Sequence, residues 1–229
     1  FAVLALLLWR RADLDVPRIA APAPAVGAAG PEHVLAFLRL PTVWVCFGFF
    51  FFYAGALSVV QTFATQAASA LHGVPPHLAA ICLSVYMVCS AGGMVVGGFL
   101  VVNPERCERI VGASFGVAAC IALVIGLASV PAMAVPVLFG LMGVASGITG
   151  PSRDLLVKRS TPEHATGRVY GVVYSGLDIG QAVVPLFVGA LMDQGAYRGV
   201  WLALVLLQGV LMLSAFGVGR VRPDRPAMA

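Results

Sequence analysis

The chain has 229 residues, of which 60% are hydrophobic and only 10% charged, with a formal net charge of +4. Ordinary soluble domains carry roughly 25% charged residues and about 45–50% apolar ones, and a soluble exterior must be wet. These proportions exclude a water-soluble globular protein, and the absence of a lysine/arginine block excludes a nucleic-acid grip, so the natural solvent of the chain is lipid.

The first residues, Phe1–Leu8, are apolar. They are too few for a hydrocarbon core that needs about 20, and no basic stretch precedes them as in a secretory signal. They are expected to be the end of a truncated transmembrane helix. Residues 9–40 are rich in proline, alanine and charge, and Pro17–Pro31 lacks apolar periodicity, as in a flexible linker.

Pro41 occupies a favoured first-turn position and opens an apolar run to about Gln66. Further runs cover about 78–102, 110–129, 132–150, 169–192 and 200–218, and a basic tail follows at 220–229. Each run is close to a bilayer-spanning length. The expected fold is therefore all-α and integral to the membrane, a six-transmembrane-helix bundle over 41–219.

Charge tests that count independently. Six spans divide the polar segments into two alternating sets. One set holds Arg10, Arg11, Arg18, Arg39, Arg106, Arg109, Arg153, Lys158, Arg159, Arg168, Arg220, Arg222 and Arg225, which is 13 of the 14 basic residues. The other holds only Arg198. The positive-inside rule makes the first set, the 9–40 linker and the C-terminus cytoplasmic.

Small residues inside spans let helix backbones approach closely. Gly140, Gly143, Gly147 and Gly150 share one face of the fourth span, and GxxxG spacings occur at Gly93/Gly97, Gly143/Gly147 and Gly176/Gly180. These read as packing faces, or as surfaces for close helix sliding. Pro136 and Pro185 predict kinks.

Asp178 is the only acidic or basic side chain deep within a span. At 1.5 Å per residue it lies about 15 Å beyond Arg168. A carboxylate there costs roughly 2.5–3.5 kcal/mol on insertion scales, which singles it out to bind a proton or a cationic group, or to bond a neighbouring helix. Tyr174, Asp178, Gln181 and Pro185 share one helix face, which lipid cannot satisfy. Ser58, Gln61, Thr62 and Thr65 form a similar stripe in the first span, as do Tyr86 and Ser90 in the second. Gln61 and Tyr86 are candidate hydrogen-bonding partners along a solute path, or glue between helices.

Enzymatic motifs are weak. Gly112-Ala-Ser-Phe-Gly116 fits G-x-S-x-G, but it lies on a helix and not at a strand–turn–helix elbow. The five cysteines show no metal spacing, and neither a zinc-protease motif nor a P-loop is present. No enzyme, metal or cofactor is expected.

Two segments carry a family resemblance. One is Gly150-Pro-Ser-Arg-Asp-Leu-Leu-Val-Lys-Arg159; the other runs from Gly167-Arg-Val-Tyr-Gly to Pro185 and Phe187-Val-Gly-Ala-Leu-Met-Asp193. With the topology, this resembles the C-terminal half of a bacterial major facilitator superfamily (MFS) permease. The resemblance implies a twelve-helix protein whose halves rock around a central site. Residues 1–8 would end helix six, 9–40 would be the inter-half linker, and the six spans would be helices seven to twelve. The missing N-terminal half would be a partner. Gln61 and the 140–150 glycine face would line the cavity, and Asp178 would lie near the inter-half surface. Arg153 and Asp154 would be cytoplasmic gate candidates. The Gly97–Arg106 loop lacks the aspartate usual at that place in the family.

The implied function is alternating-access transport of a small solute across the cell (inner) membrane. Proton-coupled efflux of drug-like or metabolite molecules is the first reading. Uptake of an organic acid or similar solute is the alternative, and a non-transporting receptor or assembly subunit is the alternative of another class.

Overall fold

The computed structural model describes residues 41–100, 107–160 and 166–220, all within one compact unit. The expected helix end at 1–8, the linker at 9–40, Arg106 and nearly all of the 220–229 tail lie outside the described residues.

The described residues form helices and short turns, with no strand among them. Helix α1 (Pro41–Val59) passes through a π-helical turn (Val60–Ala64) into α2 (Thr65–His72). Then come α3 (Pro76–Leu100), α4 (Cys107–Leu127), a 3₁₀ turn (Ala132–Ala134) leading into α5 (Val135–Ser160), α6 (Thr166–Asp193) and α7 (Tyr197–Arg220). With α1 to α2 continuous, six helices are long and apolar enough to cross a membrane.

Chain chemistry sets the ends. Gly73 adopts a left-handed φ of +63° and its N–H bonds to the Ser69 carbonyl, closing α2. Gly195, at φ +70°, turns the chain between α6 and α7. Two expectations change. The polar segment after residue 150 continues as helix to Ser160, through Pro151, although an interior proline removes one helical hydrogen bond and its ring crowds the carbonyl one turn back. Pro136 sits in the first turn of α5, where there is no helical hydrogen bond to lose, so the kink predicted there has no cause. Pro185 does lie inside α6.

Three helix pairs pack most extensively: α3 on α5, α1 on α6, and α4 on α7. The pairs α4–α5 and α1–α7 join them, so the packing order runs α6, α1, α7, α4, α5, α3. Helices α1 and α5 meet only sparsely.

Glycine makes the tight pairs possible. A Cβ on Gly143 or Gly147 would collide with the carbonyl oxygens of Tyr86 and Ser90, and one on Gly93 with that of Val144. One on Gly97 would lie 2.5 Å from the Ile148 carbonyl oxygen. Residue numbers rise together in these contacts, so α3 and α5 are parallel. Helices α1 and α6 are also parallel: Gly176 meets Phe47, Gly180 meets Phe51 and Val184 meets Gly55. Helices α4 and α7 are antiparallel, with Gly126 against Trp201 and Gly116 against Met212. All three predicted GxxxG spacings thus fall at backbone-to-backbone contacts.

The two helices at the ends of this packing order are the least covered. The apolar windows of α3 and α6 are 17% and 22% buried, against 39–50% for the others.

Candidate functional site

Helix α6 has two unlike faces. Gly176 and Gly180 press against α1, while Tyr174, Asp178 and Gln181 are exposed. The glycines commit one side of the helix to packing, and the polar residues fall on the side left open. Asp178 makes no hydrogen bond or ion pair with the other described residues. A mid-span carboxylate is thus free to engage a proton, a cationic group or a facing protein surface.

The other polar candidates are not gathered around it. The α1–α6 contacts keep a constant offset of 129 (176 − 47 and 180 − 51), which sets Asp178 level with Phe49. Gln61 is twelve residues further along α1 (61 − 49), about 18 Å at 1.5 Å per residue. Gln61 and Thr62 are exposed on the π-helical turn, whose Val60 and Ala64 are buried. π-turns inside helices are frequent at functional sites. Sequence reasoning missed this one, which has no local signature.

Tyr86 does not face a path. It is only 3% exposed, on the face of α3 that packs against α5, where Ser146 lies beside it. The 140–150 glycine face is likewise covered by α3 and is closed to a cavity. Both corrections have one cause: the small residues on α5 draw α3 into contact along that whole face.

Arg153 and Asp154 interact, but as chain neighbours. Arg153 Nε donates to Asp154 Oδ1 at 3.0 Å. The Arg153 side chain is 13% exposed and that of Asp154 is 55% exposed. The contact that crosses between helices is different. The Arg153 guanidinium sits 4.3 Å from the Tyr53 ring centroid and 5.3 Å from that of Phe50, both on α1. Cation–π contacts are worth about 2 kcal/mol or more when desolvated. Phe50 packs in turn on Tyr174 (5.1 Å), which stacks on Tyr170 (5.7 Å). The aromatic system therefore links the guanidinium on α5 to the open face of α6.

At the opposite end of the bundle is a cavity of about 210 Å³, lined by residues that include His72, Ser129 and Arg198. His72 Nε2 is 2.8 Å from the Ile125 carbonyl oxygen, tying the end of α2 to the last turn of α4. Among the described residues no histidine, cysteine and carboxylate cluster could hold a metal ion.

Comparison with known families adds one finding: the profile of the Major Facilitator Superfamily matches residues 46–228. No curated protein gives a match.

Proposed function

We propose that this chain, which belongs to the Major Facilitator Superfamily and is a multi-pass membrane secondary transporter of small solutes, couples solute movement to protons through Asp178. The observation that carries the reading is the open α6 face, where Tyr174, Asp178 and Gln181 are exposed inside an apolar span. A carboxylate without a partner within its own bundle is costly in lipid. Proton exchange offsets that cost whenever the site meets water on one side and closes on the other. Alternating access supplies such a cycle, with a second six-helix half covering the face between openings.

The direction we favour is export of drug-like or metabolite molecules, with the arginine-rich end of the bundle in the cytoplasm of the cell whose inner membrane holds it. The charge segregation supports that orientation. The exposed aromatic face at Tyr174 supports an apolar or aromatic cargo. Arg153 and Asp154 form the cytoplasmic gate, with the exposed Asp154 carboxylate available to the facing half.

The test is flux by the full-length protein in proteoliposomes with an imposed pH gradient and a panel of solutes. Solute flux should collapse in Asp178→Asn when driven by the gradient, while solute exchange at equal pH persists. Gradient-driven flux that survives in a well-folded Asp178→Asn protein removes the coupling role.

A further inference from the structure

The geometry points to Tyr53 as a positioning residue of the transport cycle: its ring holds the Arg153 guanidinium and so closes α1 onto α5 at the arginine-rich end. The inference rests on the transporter reading above and adds a residue and a step to it.

Four observations converge. Helices α1 and α5 otherwise meet only sparsely, so this contact is one of few that join them directly. The guanidinium lies over two α1 rings at once, Tyr53 at 4.3 Å and Phe50 at 5.3 Å. It is largely withdrawn from water, the condition under which a cation–π contact is strongest. Tyr53 is itself braced from behind by Phe115 of α4, at 6.3 Å with the rings at 69°. The ring is thus a fixed platform, and the long arginine side chain is the movable part.

The consequence is directional. While the guanidinium stays on the rings, Nε remains on Asp154 Oδ1 and turns that carboxylate outward. Lifting it frees α5 from α1 and lets Asp154 reorient in one event. The ring face and the hydroxyl of Tyr53 are separable contributions to this contact. Tyr53→Phe removes the hydroxyl alone, and Tyr53→Leu removes the face.

The experiment is a spin-label distance measurement on the full-length protein in nanodiscs, with cysteines at Gly48 and Leu155 carrying the labels. A side chain at position 48 meets open space. The native-side-chain protein should show a dominant short distance. Tyr53→Leu should raise the long-distance population relative to the short one by roughly 5- to 30-fold, and Tyr53→Phe should restore most of the short population. A folded Tyr53→Leu protein with an unchanged distribution overturns the inference. So does Tyr53→Phe behaving like Tyr53→Leu, which would assign the closure to the hydroxyl. If Tyr53→Leu does not fold, Arg153→Met, which keeps length without charge, must lengthen the distance in the same way; an unchanged distance again overturns it. The measurement needs no solute, so its failure is distinct from an absence of flux in the proteoliposome panel.

Discussion

Gly147 of α5 lies directly against the Ser90 carbonyl of α3, so closely that a Cβ on Gly147 would overlap the carbonyl oxygen. The obstacle is backbone, which cannot swing away as a side chain can. Gly147→Val should therefore cost about 1–3 kcal/mol, the range for overpacking, and should lower the thermal unfolding temperature in detergent. Gly209→Ala, where a Cβ meets open space, should leave that temperature within the small range of surface changes.

Gly55 offers the complementary case, because its obstacle is a side chain. A Cβ on Gly55 would lie 2.5 Å from Val184 Cγ2. Gly55→Ala should destabilise the α1–α6 pair, and adding Val184→Ala should recover part of the loss. The expected coupling is about 0.5–3 kcal/mol, as for residues in direct contact. A double-mutant cycle on unfolding in detergent measures it, and strict additivity would show that the two residues do not meet.

These two sites show what was legible beforehand. Spacing marked Gly143, Gly147, Gly176 and Gly180 as packing positions, because a missing side chain has the same consequence in any bundle. It did not name the partner helix, since α5 meets α3 through contacts more than fifty residues away in sequence, such as Gly143 on Tyr86. Polar residues were harder. Tyr86 and Gln61 look alike in a hydropathy profile, yet one is buried against Ser146 and the other open on a π-turn. What separates them is the rotation of each helix relative to its neighbours. The Arg153–Tyr53 contact spans a hundred positions (153 − 53), and nothing within the unbroken aromatic run Phe49–Tyr53 marks which rings face the bundle. Phe49 and Phe50 are in fact buried.

His72 closes the opposite end of the bundle through its bond to the Ile125 carbonyl. His72→Ala should cost about 1 kcal/mol, the typical net worth of one hydrogen bond. It should also speed hydrogen exchange in the last turn of α4, read by mass spectrometry. Unchanged exchange there would show that the bond does not hold the turn.

The charge segregation makes a topological prediction. Cysteines placed at Asn103 and Gln194, in a native-cysteine-free background, should react with a membrane-impermeant maleimide from opposite faces of the membrane. Position 103 should be reached from the cytoplasm. Reaction of both from one face would contradict the three crossings, by α4, α5 and α6, that separate these positions.

The central claim is that the α6 face bearing Tyr174, Asp178 and Gln181 meets water from each side in turn. Gln181→Cys in the full-length protein tests it directly, by labelling with an impermeant maleimide added to one side or the other of sealed vesicles under an imposed pH gradient. The account predicts labelling from both sides, with the preferred side reversing when the gradient reverses. A cysteine that neither side can reach would make this face a dry helix contact and contradict the account.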